Sequence, residues 1–138
     1  MVSLKTDIGS ISLERPGIVA SGIMDETGPS MVRMIESGAG AVVTKSVGLE
    51  PNAGHANPCF TEVTGGYVNA MGLPNPGIEL FREEMEVAVP KGRIVGSIYG
   101  AGPDDFSRLA GRMEDYGACA VELNLSCPHA KGYGMEVG

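Results

Sequence analysis

Residues 93–123 read RIVGSIYGAGPDDFSRLAGRMEDYGACAVEL and hold one complete strand–helix–strand unit. Residues 93–99 form a short, mainly apolar run of the kind that is buried on both faces. Gly102-Pro103 then opens a helix in which Phe106, Leu109, Ala110 and Met113 recur at i, i+3, i+4 and i+7. Asp104 and Asp105 lie in its first turn, where the helix dipole favours negative charge, and Gly117 lies at its end. Residues 118–123 supply a second apolar run. Two buried strands joined by one amphipathic helix pair in parallel, because the helix carries the chain back across the sheet.

The same unit repeats on the amino-terminal side. Residues 18–20 and 41–44 read as two further buried strands, ending at Ser21-Gly22 and Lys45-Ser46. Between them Gly28 and Pro29 make a cap and first helical position, Met31, Val32, Met34 and Ile35 give an apolar face, and Gly38 stops the helix. Residues 48–62 have no period and read as a long loop. Residues 63–69 add a β-element, residues 72–76 a turn, and residues 77–87 a helix with Ile78, Phe81 and Met85 on one face. Residues 4–8 and 11–13, split by Gly9-Ser10, read as a small hairpin.

Four strands alternating with helices predict four parallel βα units over residues 17–138, preceded by a hairpin over residues 1–14. This is the amino-terminal half of a (βα)8 TIM barrel, a fold that usually needs about 250 residues. A half-barrel exposes two strand edges, so the rest of the barrel is expected beyond Gly138. Polar or glycine residues crowd the carboxyl end of each strand: Ser21, Lys45, Ser97 with Gly100, and Asn124. Ligands bind at that end in βα barrels and in open α/β sheets alike.

Composition sets the outer limits. The chain is 43% hydrophobic and 20% charged, ordinary for one globular domain, while 21 glycines and nine prolines indicate many tight turns. A net charge of −7 argues against a nucleic-acid or anionic-membrane surface, so an anion site must rest on specific donors. There is no transmembrane run, and residues 1–5 lack the apolar core of a secretory leader. Three cysteines, Cys59, Cys119 and Cys127, form no Cys-x-x-Cys pair, so neither a disulfide framework nor a metal site is expected. Reduced thiols and a cytoplasmic location follow.

Several residues could carry chemistry. Cys127 lies in a polar loop after a buried strand and before a proline; it is either an inert loop thiol or a base with partial thiolate character. Asn124, at the end of that strand, can donate and accept at one point. Lys45 follows four apolar residues and is either a solvated loop lysine or a fixed cation in a cleft. His55 reads as solvated, and His129, two residues from Cys127, could form a Cys–His pair. Glu122 within a strand fits a structural hydrogen bond. Glu83, Glu84, Glu86, Asp104, Asp105 and Glu114 read as solvated helix faces.

The segments ASG at 20–22, TKS at 44–46, NAMGLPNPG at 69–77 and ELNLSCP at 122–128, in this order and spacing, resemble class 1 dihydroorotate dehydrogenase. The resemblance implies an FMN-bearing barrel that oxidises dihydroorotate to orotate in pyrimidine (UMP) biosynthesis. It implies Cys127 as the general base for the C5 proton while C6 delivers hydride to flavin N5. It assigns Lys45 to both flavin and orotate, and Asn69, Ala70, Met71, Gly72 and Leu73 to the substrate. Asn124 touches both ligands, and Ala20, Ser21, Gly22, Ser46 and Ser97 lie against the flavin. A homodimeric core is the family expectation, and the motif wording leans to the NAD-linked type, with a separate subunit carrying FAD and an iron–sulfur cluster.

The chain departs from that pattern at three places. His129 stands where the family often has Asn, Cys59 where it often has Arg, and Ser97 where it often has Asn. NLSCPH also resembles dihydropyrimidine dehydrogenase, whose working cysteine lies further along the loop, where this chain has none. A non-catalytic half-barrel that binds a phosphate-containing ligand is the reading from a different class. The flavin-phosphate site belongs to the second half of the family fold, so residues 1–138 alone are expected to hold FMN weakly and to be inactive.

Overall fold

A computed structural model describes residues 3–22 and 24–125 of the chain. The hairpin expected at the amino end is β1 (Thr6–Ile8) paired antiparallel with β2 (Ile11–Leu13). The main sheet holds β3 (Ile18–Val19), β4 (Ala41–Val43), β7 (Ile94–Ile98) and β8 (Ala120–Leu123), in that order and all parallel. Helices α1 (Gly28–Glu36), α2 (Ile78–Ala88) and α3 (Pro103–Asp115) fall between successive strands, with a 3-10 turn at Val89–Lys91. This is the α/β order of half a (βα)8 barrel, as the alternating periodicity predicts. Among the described residues, no helix is long and apolar enough to cross a membrane.

The core forms where the helices cover the sheet. Met31 from α1, Phe81 and Met85 from α2, and Leu109 and Met113 from α3 are fully buried against Val42, Ile94 and Ile98. Each such side chain contributes about 1.5–3 kcal/mol by leaving water. Gly96 lets α3 come close, since a side chain there would sit 2.8 Å from Met113. Helix α1 meets α2 through Gly28, where a Cβ would lie 2.6 Å from Val87 Cβ and 2.7 Å from the Glu84 carbonyl oxygen.

Three readings of the sequence need correction. The α1 cap is Thr27 rather than Gly28: its hydroxyl accepts from Ser30 N–H while the Ser30 hydroxyl accepts from Thr27 N–H, a capping box. Within residues 48–62, the last three already belong to a strand. β5 (Phe60–Val63) and β6 (Gly66–Asn69) form an antiparallel hairpin turning at Thr64-Gly65, with Phe60 and Tyr67 stacked at 5.1 Å. Gly65 at φ +84° supplies the left-handed backbone this turn needs. Finally, Glu84 and Asp105 are not simply solvated: Glu84 Oε2 accepts from Gly28 N–H, and Asp105 Oδ2 accepts from Ala101 N–H at 3.0 Å. Both carboxylates tie down a loop or helix end that the backbone alone leaves unpaired.

Candidate active site

The site begins with a fault in the β4–β7 ladder. Val43 faces Val95, but further along Val47 faces Ile98, so four steps on one strand match three on the other. One extra residue is therefore accommodated between Val43 and Val47, the hallmark of a bulge. Thr44 makes it possible by filling the gap: its Oγ1 accepts the Ser97 N–H at 2.9 Å, which no backbone carbonyl of β4 takes. Pairing resumes where Val47 N–H donates to Ser97 O and Tyr99 N–H donates to Val47 O. Lys45 and Ser46 ride on this bulge at the carboxyl end of the sheet.

A polar row then crosses all four strands. Ser97 Oγ donates to Glu122 Oε1 at 2.9 Å, and Ser46 Oγ lies 2.9 Å from Ser97 Oγ. Asn124 Nδ2 donates to Ser46 Oγ at 3.0 Å, and Ser21 Oγ lies 3.5 Å from the same atom. Ser97 is fully buried and Ser46 is 4% exposed, so this row is part of the structure rather than a wet surface. Glu122 makes the structural hydrogen bond its strand position predicts.

Lys45 is 8% exposed, yet its ammonium makes no hydrogen bond or ion pair among the described residues. A lysine buried this far normally satisfies its three donors. A charge that interacts with it belongs to Asp25, which the sequence reading did not single out. Asp25 is fully buried, its carboxylate accepts Gly22 N–H at 2.9 and 3.1 Å, and its carbonyl accepts Lys45 N–H at 3.2 Å. Burial pushes the Asp25 carboxyl above the ordinary aspartate range, while the Gly22 N–H and the Lys45 charge pull the other way. No local motif announces such a residue; its only signal is an acidic residue directly after the apolar pair Ile23-Met24 in a Gly-bearing loop.

The first glycine after β3 leaves room for a ligand. Among the described residues, a side chain at Gly22 would meet nothing nearer than Ala20 O at 3.9 Å. The open face at Gly22, the amide of Asn124 and the Lys45 ammonium offer the chemistry a flat ring with polar edges requires. A cavity of about 580 Å³ beside Arg15, Gly38 and Arg93 lies at the opposite, amino end of the strands, away from these groups.

The segment after the second hairpin is anchored at the same carboxyl end. Asn69 closes β6, and Ala70 N–H donates to Cys59 O at 2.8 Å. Gly72 at φ +75° and Leu73 at φ +55° both adopt the left-handed conformation, which is uncommon for leucine. His55 is exposed beside this turn, and its N–H donates to Met71 O at 3.0 Å. Cys59 Sγ lies 3.6 Å from Met71 Sδ, and burial pushes the half-buried Cys119 thiol up, away from reactivity. Cys127 and His129 lie outside the described residues.

Comparison with known proteins agrees with this geometry. The family model described as dihydroorotate dehydrogenase matches residues 3–138. The chain is 51% identical to the dihydroorotate dehydrogenase B (NAD(+)) catalytic subunit of Methanocaldococcus jannaschii, over 98% of this chain and 45% of that protein. It is 46% identical to the subunit of the same name from Thermoplasma acidophilum, over 100% of this chain and 46% of that one. Its fold matches the crystal structure of DHODH from Eimeria tenella in complex with ferulenol at a TM-score of 0.77, with 19% identity, over 94% of this chain and 38% of that chain. The chain thus spans under half the length of the curated relatives it matches. With a family match that runs from residue 3 to residue 138, on a half-barrel whose polar groups gather at the carboxyl ends of its strands, this chain belongs to the dihydroorotate dehydrogenase family.

Proposed function

We propose that this chain supplies the substrate-facing half of an FMN-dependent dihydroorotate dehydrogenase, which oxidises dihydroorotate to orotate. The observation that carries the reading is Lys45, whose side chain is largely buried at a strand end while its ammonium makes no hydrogen bond or ion pair among the described residues. A cation held on a buried stem with open donors favours an anion, and dihydroorotate brings a carboxylate.

The residues divide into two groups. Ala20, Ser21, Gly22, Ser46 and Asn124, at the carboxyl ends of the strands, would hold FMN, with Ser97 hydrogen-bonded to Ser46. FMN, when bound, supplies an acceptor for two electrons. Asn69, Ala70 and the Met71-Gly72-Leu73 backbone would hold the substrate ring and carboxylate, with Lys45 and Asn124 reaching both ligands. Cys127 would take the C5 proton on its sulfur, a general-base role that needs only partial thiolate character. The matched relatives are named as catalytic subunits of a B (NAD(+)) type, which supports a second, electron-transferring subunit as partner.

The test uses protein expressed with any coding sequence downstream of Gly138, loaded with FMN and kept anaerobic. Dihydroorotate should bleach the oxidised-flavin absorbance rapidly. Cys127→Ala should slow this by about 10²-fold or more. Lys45→Met should weaken orotate binding by about 10- to 150-fold, as for loss of a charge-assisted hydrogen bond. A flavin that stays oxidised in the unaltered protein rejects the substrate assignment.

A further inference from the structure

The proposed function leaves unexplained why the 71–73 backbone holds an uncommon shape without a regular element to support it. The support is a small polar cluster. Asn75 uses its whole side chain: Oδ1 accepts Gly77 N–H at 2.9 Å and Gly48 N–H at 3.2 Å, while Nδ2 donates to Leu73 O at 2.9 Å and to Tyr99 Oη at 2.8 Å. Asn52 mirrors it, with Nδ2 donating to Gly72 O at 3.1 Å and to Tyr99 Oη at 3.4 Å. The two asparagines also exchange both backbone hydrogen bonds at 2.9 Å. Each carbonyl of the left-handed pair Gly72-Leu73 is thus gripped by a side-chain amide, and both amides converge on one phenol.

That phenol is itself fixed. Tyr99 is 4% exposed and directly follows β7, and its N–H donates to Val47 O at 3.2 Å. Gly48 admits the ring, since a Cβ there would lie 2.8 Å from Tyr99 Cζ. Val47 and Gly48 directly follow the bulge that carries Lys45 and Ser46. The cluster therefore joins the two parts of the site, the bulge on β4 and the turn at 71–73, through one buried side chain.

We infer that Asn52, Asn75 and Tyr99 are positioning residues: they hold the Gly72 and Leu73 carbonyls inward so that the backbone N–H groups of the 71–73 turn stay available to the substrate anion. This rests on the substrate assignment proposed above. None of the three touches the reacting atoms. Their effect is on binding of the anionic ring, transmitted through the turn.

Two conservative variants test it in the FMN-loaded protein carrying any downstream coding sequence. Tyr99→Phe removes the shared acceptor and keeps the ring. Asn75→Asp keeps the acceptor for Gly48 and Gly77 and loses both donations. Orotate affinity is read from the flavin absorbance shift, FMN affinity from flavin fluorescence, and the turn from amide hydrogen exchange over residues 69–77. Each variant should raise the orotate Kd about tenfold, leave FMN affinity unchanged, and speed exchange in 69–77 but not in β4 or β7. Unchanged orotate Kd with unchanged exchange overturns the inference, as does loss of FMN affinity with faster exchange throughout, which marks a merely structural role. Should the unaltered protein bind no orotate, the substrate assignment falls, and the cluster is judged by exchange alone. Local acceleration then supports it, and none overturns it.

Discussion

Replacing Ser46 by alanine removes one oxygen and breaks the polar row at its centre. Ser46 Oγ has two well-formed partners, Ser97 Oγ at 2.9 Å and Asn124 Nδ2 at 3.0 Å, and a weak one, Ser21 Oγ at 3.5 Å. A net hydrogen bond contributes about 1 kcal/mol, and a polar group left buried without its partner costs about 1–3 kcal/mol. Ser97 keeps its bond to Glu122, and the loss is that of the two well-formed hydrogen bonds at Ser46. Ser46→Ala should therefore lower stability by about 2–3 kcal/mol. Ser21→Ala loses only the weak contact and should cost about 0.5 kcal/mol or less. Urea unfolding followed by circular dichroism measures both, since the chain has no tryptophan. The m-value should stay constant if only the native contact is lost. Equal, small losses in the two variants would refute the claim that Ser46 is the hub of the row.

Two further predictions follow from groups outside the row. Burial raises the Asp25 pKa, so the folded protein holds that proton more tightly than the unfolded chain. Its contribution is complete below the ordinary aspartate pKa and is lost as pH rises through the raised value. The Tm difference between the unaltered protein and Asp25→Asn should therefore shift in favour of the former as pH falls from about 7 towards about 4; a flat or opposite trend rejects it. At the α1–α2 contact, Gly28→Ala should cost about 1–3 kcal/mol through overpacking against Val87 and the Glu84 carbonyl. Gly111→Ala, in α3 with nothing within 4 Å, should instead stabilise by about 0.5–1 kcal/mol, and thermal melts that rank the two alike reject the contact.

The centre of the main sheet, β4 and β7, was legible because burial on both faces leaves a mark in the residues themselves; the outer strands β3 and β8, read as buried, instead expose Ile18 and Leu123. Val42, Ile94 and Ile98 stand in apolar runs, and Leu109 and Met113 fall at helical spacing on the one face of α3 that the sheet covers. The second hairpin left no such mark. Phe60, Thr61, Glu62, Tyr67 and Val68 are all exposed, so no face of it alternates with the other, and only the Thr64-Gly65-Gly66 turn betrays it. The ends of the strands were readable as polar, which drew Ser21, Lys45, Ser46, Ser97 and Asn124 together. The bulge was not, because it depends on one hydroxyl, Thr44, replacing a backbone acceptor for a residue 53 positions away. Asp25, Asn52, Asn75 and Tyr99 were passed over because the contacts that give them a place in the site are long-range: Asp25 O takes the Lys45 N–H, and Asn52 and Asn75 reach Gly72 O, Gly48 N–H and Tyr99 Oη.

The row of hydroxyls has a direction. Glu122 can only accept, so the Ser97 proton is committed to it. The 2.9 Å contact between Ser46 and Ser97 must then use the Ser46 proton, and Asn124 fills one Ser46 lone pair from outside. What remains at Ser46 is a single lone pair, which can receive only the Ser21 proton. Every hydroxyl hydrogen in the row therefore points towards the carboxylate on β8, while the Asn124 amide donates the opposite way, into Ser46. A molecule resting on Ser21 meets oxygen lone pairs, while one resting on Lys45 meets N–H groups. The two edges of the site ask for opposite things, an N–H on one side and an anion on the other, and that polarity is set by a glutamate that need not touch the ligand.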